Sequence, residues 1–333
     1  MQLRKRTFLY IACLLAFTTY AALDTFAIRD VYMTEAATIN EALFEEEAEN
    51  SDAEAETIAS DKAAEVPDAD AETAPAETPA AALTTGAQTA NGGTVIGTYQ
   101  NENISITLSQ YDVSGTAVYA ADVTLSSAQY LKTAFADDAY GKNITDKTSA
   151  IAEDNDAILA INGDYYGARE AGYVIRNGVL YRETADDEEI LCIYADGTMD
   201  VINASEASAQ TLLNSGVWQA FSFGPALVEE GEIAVTTDEE VGRAKASNPR
   251  TAIGMVDPLH YVMVVSDGRT DESEGLSLYE LSEFMKSLGV STAYNLDGGG
   301  SSTMVFQGEL INNPTSSGKS IKERKVSDIV YIG

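Results

Sequence analysis

The segment from residues 294 to 303 has the composition of a ligand-binding loop. Its sequence is Tyr-Asn-Leu-Asp-Gly-Gly-Gly-Ser-Ser-Thr, and it lies between two apolar runs, 289–294 and 303–306, that predict strands. Three consecutive glycines lose much chain entropy on folding, and their usual use is the close approach of backbone N–H groups to a ligand oxygen. Asp297 is the only carboxylate of this loop. The loop is a candidate site, and a simple Asp-Gly hairpin turn is the alternative.

Three other apolar runs also end in loops that carry charged side chains. These loops contain Asp164, Arg250, Asp267 and Arg269. A rigid sheet presents catalytic groups on loops at its strand ends, although each loop taken alone has the sequence of an ordinary turn. Together with Asp297 they supply carboxylates and guanidinium groups, and an Arg matches the geometry of a phosphate. This set of carboxylates and guanidinium groups is suited to binding a phosphorylated sugar.

Arg250 is the most informative of these cations. It lies at the start of an apolar run, residues 251–254, where a charge is costly unless it is paired. It therefore either binds the phosphate of a substrate or forms a buried ion pair with one of the aspartates.

The composition excludes several kinds of mechanism. His260 is the only histidine, so clustered His ligands for a catalytic zinc are impossible and a Ser-His-Asp triad would depend on that residue. The net charge of −33 opposes binding to nucleic acid, which requires clustered Lys and Arg. Cys13 and Cys192 lie in different parts of the predicted organisation, so no structural disulfide is expected. The acids at 271–274 do not have the spacing of a Ca²⁺ loop, and we predict neither a metal nor a cofactor.

The N-terminal sequence predicts export. Three basic residues at 4–6 precede an uncharged run, 8–22, which is typical of a signal segment or a membrane anchor. We favour an uncleaved single-pass anchor with an extracellular domain, and secretion after cleavage is the alternative. Residues 35–77 contain fifteen acidic residues and the single base Lys62. Such a segment cannot bury enough apolar surface to fold, so it is predicted to be a disordered, extended linker.

The remaining sequence has the pattern of one strand-rich domain. Many short runs alternate like strands, whereas 277–288 is amphipathic and 206–213 has a helical composition. Few helices among many strands predict an α+β domain with a mixed or largely antiparallel sheet. The predicted organisation is a membrane anchor or signal segment over 1–30, a disordered acidic linker over 31–93 and a catalytic domain over 94–333.

Six motifs occur in order along the predicted domain. They are Ala160-Ile-Asn-Gly-Asp-Tyr-Tyr, Tyr173-Val-Ile-Arg-Asn-Gly, Ser222-Phe-Gly-Pro-Ala-Leu-Val, Asn248-Pro-Arg-Thr-Ala-Ile-Gly, Val264-Val-Ser-Asp-Gly-Arg and Asn295-Leu-Asp-Gly-Gly-Gly-Ser-Ser. Together they resemble the phosphodiester glycosidase family, which includes exported bacterial proteins linked to exopolysaccharide. The resemblance covers about residues 94–333 and implies hydrolysis of a sugar-1-phosphate bond, similar to that of a GlcNAc-1-phosphodiester, in a phosphorylated glycan or cell-surface polymer. A non-catalytic module that binds an anionic glycan is the alternative.

The chemistry implied by this resemblance gives roles to the candidate residues. A departing phosphate monoester has a second pKa of about 6, so it requires cations and N–H donors more than a general acid. We expect Asp297 to act at C1 as nucleophile or as base for water, with Asp267 or Asp164 second and Arg250 as the catalytic cation. The expected substrate contacts are Asn162, Gly163, Arg176, Gly224, Thr251, Arg269, Asn295, Gly298, Gly299, Gly300, Ser301 and Ser302.

Overall fold

The structure is a computed structural model that describes residues 11, 13–21, 23, 28–34, 39–44, 86–186, 189–237 and 247–333. Residues 13–21 are helical. None of the helices in these ranges is long and apolar enough to cross a membrane. The basic residues at 4–6 and most of the predicted acidic linker lie outside the described residues.

Part of the segment predicted to be a linker, 31–93, packs on the domain. Strand β1 (Asp30–Thr34) pairs antiparallel with β6 (Ala139–Lys142). The ring of Phe44 lies edge-on against that of Trp218, with 4.9 Å between the centroids. These contacts come from short apolar stretches of a segment whose overall composition is acidic, so composition alone did not predict them.

The largest sheet contains eight strands, which are β2 (Thr94–Gln100), β3 (Ile104–Val113), β4 (Thr116–Leu125), β13 (Ala226–Glu229), β14 (Glu232–Ile233), β15 (Thr251–Asp257), β16 (His260–Ser266) and β17 (Thr292–Asn295). Their order is β14-β13-β17-β15-β16-β4-β3-β2, and every recorded pair is antiparallel. Alternate residues of β3, namely Ile104, Ile106 and Leu108, face the main core, as the period of two in a strand requires.

Two five-stranded sheets complete the core. The first consists of β8 (Val174–Arg176), β9 (Val179–Arg182), β10 (Glu189–Tyr194), β11 (Met199–Asn203) and β12 (Val217–Phe221). The second consists of β5 (Leu131–Phe135), β7 (Leu159–Asn162), β18 (Met304–Phe306), β19 (Glu309–Leu310) and β20 (Asp328–Ile332). The strand order is β11-β10-β12-β8-β9 in the first and β19-β18-β7-β20-β5 in the second, again with antiparallel pairs.

Short helices cover the sheets. These are α1 (Thr148–Asp154), α2 (Ala209–Asn214) and α3 (Leu278–Ser287). Helix α3 begins after Ser277, which forms a capping box with Glu280, and its apolar stripe packs on the eight-stranded sheet. The predicted helix at 277–288 is present, and the prediction of a strand-rich domain with largely antiparallel sheets and few helices is confirmed.

Ends of strands from the three sheets meet at one place. Strand β7 ends at Asn162, β8 ends at Arg176 and β17 ends at Asn295. Strand β20 begins with Asp328, and its next residue, Ile329, pairs with Asn162. The end of β7 and the start of β20 are therefore adjacent, and loops that are far apart in sequence lie side by side.

Candidate active site

A cavity of ≈ 240 Å³ opens where these strand ends meet. Its wall contains the carboxylates Asp164 and Asp297 and the guanidinium group of Arg324. Tyr165, which is 44% exposed, lies on the same wall. Polar and charged side chains that converge on one cavity, with an aromatic ring beside them, mark it as a candidate binding site.

Asp297 is held at this wall by its side chain and by its backbone. Its Oδ2 accepts a hydrogen bond from Nη2 of Arg324 at 2.6 Å, and its carbonyl oxygen accepts one from Nδ2 of Asn162 at 2.7 Å. Burial raises the pKa of the Asp297 carboxyl above its ordinary value, and the Arg324 guanidinium opposes that rise. A carboxylate with a raised pKa is a better base or nucleophile than an exposed one.

The glycine-rich loop orients Arg324. Nε of Arg324 donates to Oγ of Ser301 at 2.8 Å, and its backbone N–H donates to the carbonyl oxygen of Gly300 at 3.2 Å. The Arg324 side chain is nevertheless 42% exposed. It is thus fixed at one edge and open at the other, as a cation that binds a substrate must be.

The glycines themselves serve the packing of this loop. The N–H of Gly299 donates to the carbonyl oxygen of Pro249 at 2.8 Å, so it is not available to a ligand in this arrangement. Gly299 has φ +63°, which side-chain-bearing residues rarely adopt, and a Cβ there would lie 2.8 Å from Nη2 of Arg269. The glycine N–H groups were predicted to contact a ligand oxygen, but that of Gly299 instead joins two segments of the protein.

Arg250 and Arg269 lie beside this loop and outside the cavity wall. Nε of Arg250 donates to the carbonyl oxygen of Leu276 at 2.8 Å, and the Arg250 side chain is buried. Nε and Nη2 of Arg269 each donate to Oδ1 of Asn248 at 3.1 Å. Both arginines therefore tie neighbouring segments together, and within the described residues the guanidinium group on the cavity wall is that of Arg324.

A buried ion cluster lies behind the wall. Nη2 of Arg176 is 3.0 Å from Oδ1 of Asp164 and 2.9 Å from Oδ2 of Asp328, and all three side chains are almost completely buried. Burial raises the pKa of the Asp328 carboxyl, and Arg176 opposes that rise. Arg176, predicted to contact substrate, is instead the shared counter-ion of two carboxylates.

The two remaining candidate aspartates are bound to the protein. Oδ1 of Asp164 accepts the N–H of Tyr166 and Oδ2 accepts the N–H of Ser222, both at 3.1 Å. Asp267 accepts the N–H and Nδ2 of Asn313 at 2.7 and 3.1 Å, and burial raises the pKa of its carboxyl against these bonds. Asp164 reaches the cavity, whereas Asp267 anchors a loop outside its wall.

Other predicted contact residues form a layer that supports the wall. Oδ1 of Asn162 accepts the hydroxyl of Thr251 at 2.9 Å, and Nδ2 of Asn295 donates to the carbonyl oxygen of Gly224 at 2.7 Å. Gly163 is required because a Cβ there would overlap the Asp328 carboxylate. Among the described residues that line the cavity, there is none of the predicted substrate contacts, which are Asn162, Gly163, Arg176, Gly224, Thr251, Arg269, Asn295, Gly298, Gly299, Gly300, Ser301 and Ser302. In the described part of the chain, no three acidic, His or Cys side chains are grouped to hold a metal ion.

Residues 155–333 match the model of the phosphodiester glycosidase family. The chain belongs to this family. The predicted membership of a family of hydrolases is therefore confirmed.

Several known proteins are similar to this phosphodiester glycosidase family member. The SPbeta prophage-derived uncharacterized protein YomE of Bacillus subtilis is 30% identical over 182 residues, which are 52% of this chain and 28% of YomE. The N-acetylglucosamine-1-phosphodiester alpha-N-acetylglucosaminidase of Mus musculus is 33% identical over 108 residues, 31% of this chain and 21% of the mouse protein. The matched part spans less than a third of either relative.

A solved structure shows the same fold. The catalytic domain of the zebrafish N-acetylglucosamine-1-phosphodiester alpha-N-acetylglucosaminidase, auto-inhibited by its pro-peptide, superposes with a TM-score of 0.55 at 23% identity. The superposition covers 69% of this chain and 82% of the zebrafish chain.

The sequence contained signals for three residues at or behind the cavity wall of this family member that the motifs did not include. Arg324 and Lys325 belong to the run 319–325, which has four bases in a chain of net charge −33. Asp328 is a charge within the apolar strand β20, and such a charge requires a partner. The reasoning that singled out Arg250 applies equally to Asp328.

Proposed function

We propose that this protein hydrolyses the bond between C1 of a sugar and the phosphate in a phosphodiester, with a phosphorylated glycan or cell-surface polymer as substrate. Family membership supports the reaction class, and the mouse relative's name supports an N-acetylglucosamine-like sugar. The observation that carries the proposal is the contact between Asp297 and Arg324, 2.6 Å apart, on the wall of one cavity.

Arg324 stabilises the leaving group in this scheme. When the C1–O bond breaks, its electron pair goes to the phosphate oxygen, and a phosphate monoester dianion departs. A guanidinium group beside that oxygen stabilises the developing charge. Ser301 holds Nε of Arg324 at 2.8 Å, so that the cation is oriented before the substrate arrives.

Asp297 acts at C1. It either attacks C1, with water later releasing the sugar, or takes a proton from the water that attacks C1. In both routes the oxygen of water ends on C1, and the products are a free sugar and a phosphate monoester. Asp164 is less suited to this role because both of its oxygens already accept hydrogen bonds from backbone N–H groups.

The sugar ring is proposed to bind at the Tyr165 side of the cavity. Tyr165 is exposed there although it carries an aromatic ring, and such a ring packs on the apolar face of a sugar while its hydroxyl remains in water. The phosphate would then lie between the sugar and Arg324.

Hydrolysis of a methyl diester of N-acetylglucosamine-1-phosphate by the purified full chain tests the function. We expect equal amounts of free N-acetylglucosamine and methyl phosphate, and a loss of at least about 100-fold in kcat for Asp297→Asn. Asp122→Asn is the matched control because its side chain is 58% exposed on β4, and it should leave kcat unchanged. Near-normal turnover by Asp297→Asn would remove that carboxylate from the mechanism. Stoichiometric binding of the diester without release of sugar would favour the binding module.

We also propose that the catalytic domain acts outside the cytoplasm, either on a single-pass anchor or secreted. The bases at 4–6 and the uncharged run that follows them support this. Protease added to intact cells should degrade an anchored domain and spare a cytoplasmic marker, and a secreted domain should be found in the medium. A chain protected inside cells would overturn the proposal.

A further inference from the structure

A second cavity adjoins the candidate active site. It has a volume of ≈ 450 Å³, and Arg324 and Lys325 line both cavities. Its wall also contains Lys147 and Lys322, and one acid, Glu323. Four of its charged side chains are therefore basic, although the chain as a whole carries a net charge of −33.

The acidic side chain of this wall is held by helix α1. Oε1 of Glu323 accepts the N–H of Ser149 at 3.0 Å, and Oε2 accepts the Ser149 hydroxyl at 2.6 Å. Both carboxylate oxygens are thus engaged near the start of the helix, where a negative charge is favourable. Among the described residues, Glu323 forms no ion pair with the lysines of the cavity.

The lysines differ in their partners. Nζ of Lys325 is 2.9 Å from Oδ1 of Asp146, whereas Lys147 and Lys322 form no ion pair among the residues that the structure describes. Ser316, Ser317 and Ser320 also lie on the wall, and their hydroxyls are hydrogen-bond donors. Lysine side chains that form no ion pair with another described residue, together with serine side chains at the same concave surface, can bind an anion such as a phosphate.

The position of this cavity indicates which part of a substrate reaches it. In the proposed function, on which this step rests, the sugar lies near Tyr165 and the scissile phosphate contacts Arg324. The group on the far side of that phosphate is the leaving alcohol. Because Arg324 lines both cavities, the leaving alcohol extends into the basic cavity.

We infer that the basic cavity, lined by Lys147, Lys322, Arg324 and Lys325, is a subsite for a second phosphate carried by the leaving alcohol. The substrate class is then a glycan whose units are joined by repeated phosphodiesters. A single phosphodiester to a neutral alcohol brings no phosphate to the lysines of the basic cavity.

Two substrates with the same scissile bond test the inference. One is the N-acetylglucosamine-1-phosphodiester of glycerol, and the other carries a methyl phosphodiester on that glycerol. We expect the full chain to have a kcat/KM about tenfold higher for the second, with an advantage that declines as salt is added. The double variant Lys147→Gln/Lys322→Gln should lose about 5- to 20-fold on the second substrate and less than about twofold on the first.

Lys286→Gln is the matched control because Lys286 is on the exposed surface of α3, paired with Glu232. It should change neither kcat/KM. Equal kcat/KM of the unaltered protein for the two substrates would overturn the subsite, as would an equal loss on both substrates in the double variant. If the unaltered protein cleaves neither, the proposed function fails, and calorimetric binding of the two compounds still tests the subsite: equal affinities would exclude it.

Discussion

Replacing Arg176 by Met should destabilise the protein more than most single substitutions. Nη2 and Nε of Arg176 lie 2.9 and 3.0 Å from Oδ2 of Asp328, and Nη2 lies 3.0 Å from Oδ1 of Asp164. The three side chains are at most 3% exposed. Met fills a similar volume without charge, so the variant leaves two buried carboxylates without their counter-ion.

The expected loss in the free energy of unfolding is about 3–5 kcal/mol, the usual cost of removing one partner from a buried ion pair. This lies below the attraction of about 5–6 kcal/mol between two unit charges 3 Å apart at an effective dielectric of about 20, because the carboxylates respond by binding protons. Burial already raises the pKa of Asp328, and loss of Arg176 raises it further. A group with a raised folded-state pKa destabilises the fold as pH rises, so the deficit of Arg176→Met should be larger at about pH 8 than at about pH 5.5.

Urea denaturation of four proteins measures this effect: the unaltered chain, Arg176→Met, Asp328→Asn and the double variant. The Asp328→Asn substitution keeps the shape of the side chain without its charge, so the double variant should recover about 1–3 kcal/mol relative to the sum of the single losses. Additive losses, or an Arg176→Met deficit below about 1 kcal/mol at about pH 8, would contradict the reasoning that the cluster is a buried ion pair.

Three further outcomes follow from particular contacts. Gly163→Ala places a methyl group on the Asp328 carboxylate, and a thermal melt should show a loss of about 1–3 kcal/mol. Because burial raises the pKa of the Asp297 carboxyl, kcat/KM should fall as acid protonates that carboxyl. Arg324 lowers the same pKa, so the residual activity of Arg324→Gln should begin to fall at a higher pH than that of the unaltered protein. An acidic limb at the same pH in both proteins would show that the limb does not report the protonation of Asp297. Ser277→Ala removes the capping box of α3 and should cost about 1 kcal/mol in urea with turnover unchanged.

The sequence is most informative where a local pattern decides the structure. Asn177-Gly178 has φ values of +51° and +71°, as expected for a two-residue hairpin turn, and it joins β8 to β9. The sequence also indicated that charged loops at strand ends lie together. Asp164 and Asp297 do line one cavity, although 133 positions separate them in the numbering.

The sequence is least informative about which side of a strand end a charge faces. Arg176 and Arg250 each adjoin apolar strands, as a phosphate-binding arginine would, but Arg176 faces Asp328, 152 positions away. No local pattern encodes that contact. Arg324 comes from the irregular stretch 311–327, which has no periodicity to predict its position, and only its charge in an acidic chain was available as a signal.

Exposure separates the roles of the two arginines that contact site carboxylates. The side chain of Arg176 is 1% exposed and that of Arg324 is 42% exposed, so the first can only neutralise its neighbours, whereas the second can exchange Asp297 for a phosphate. In the proposed mechanism, that exchange would free the Asp297 carboxylate when the leaving group is bound, and it would couple binding of the phosphate to activation of the base. Because Arg324 also lines the basic cavity, its replacement should reduce turnover of neutral and phosphorylated leaving groups alike, whereas Lys322 should affect only the latter.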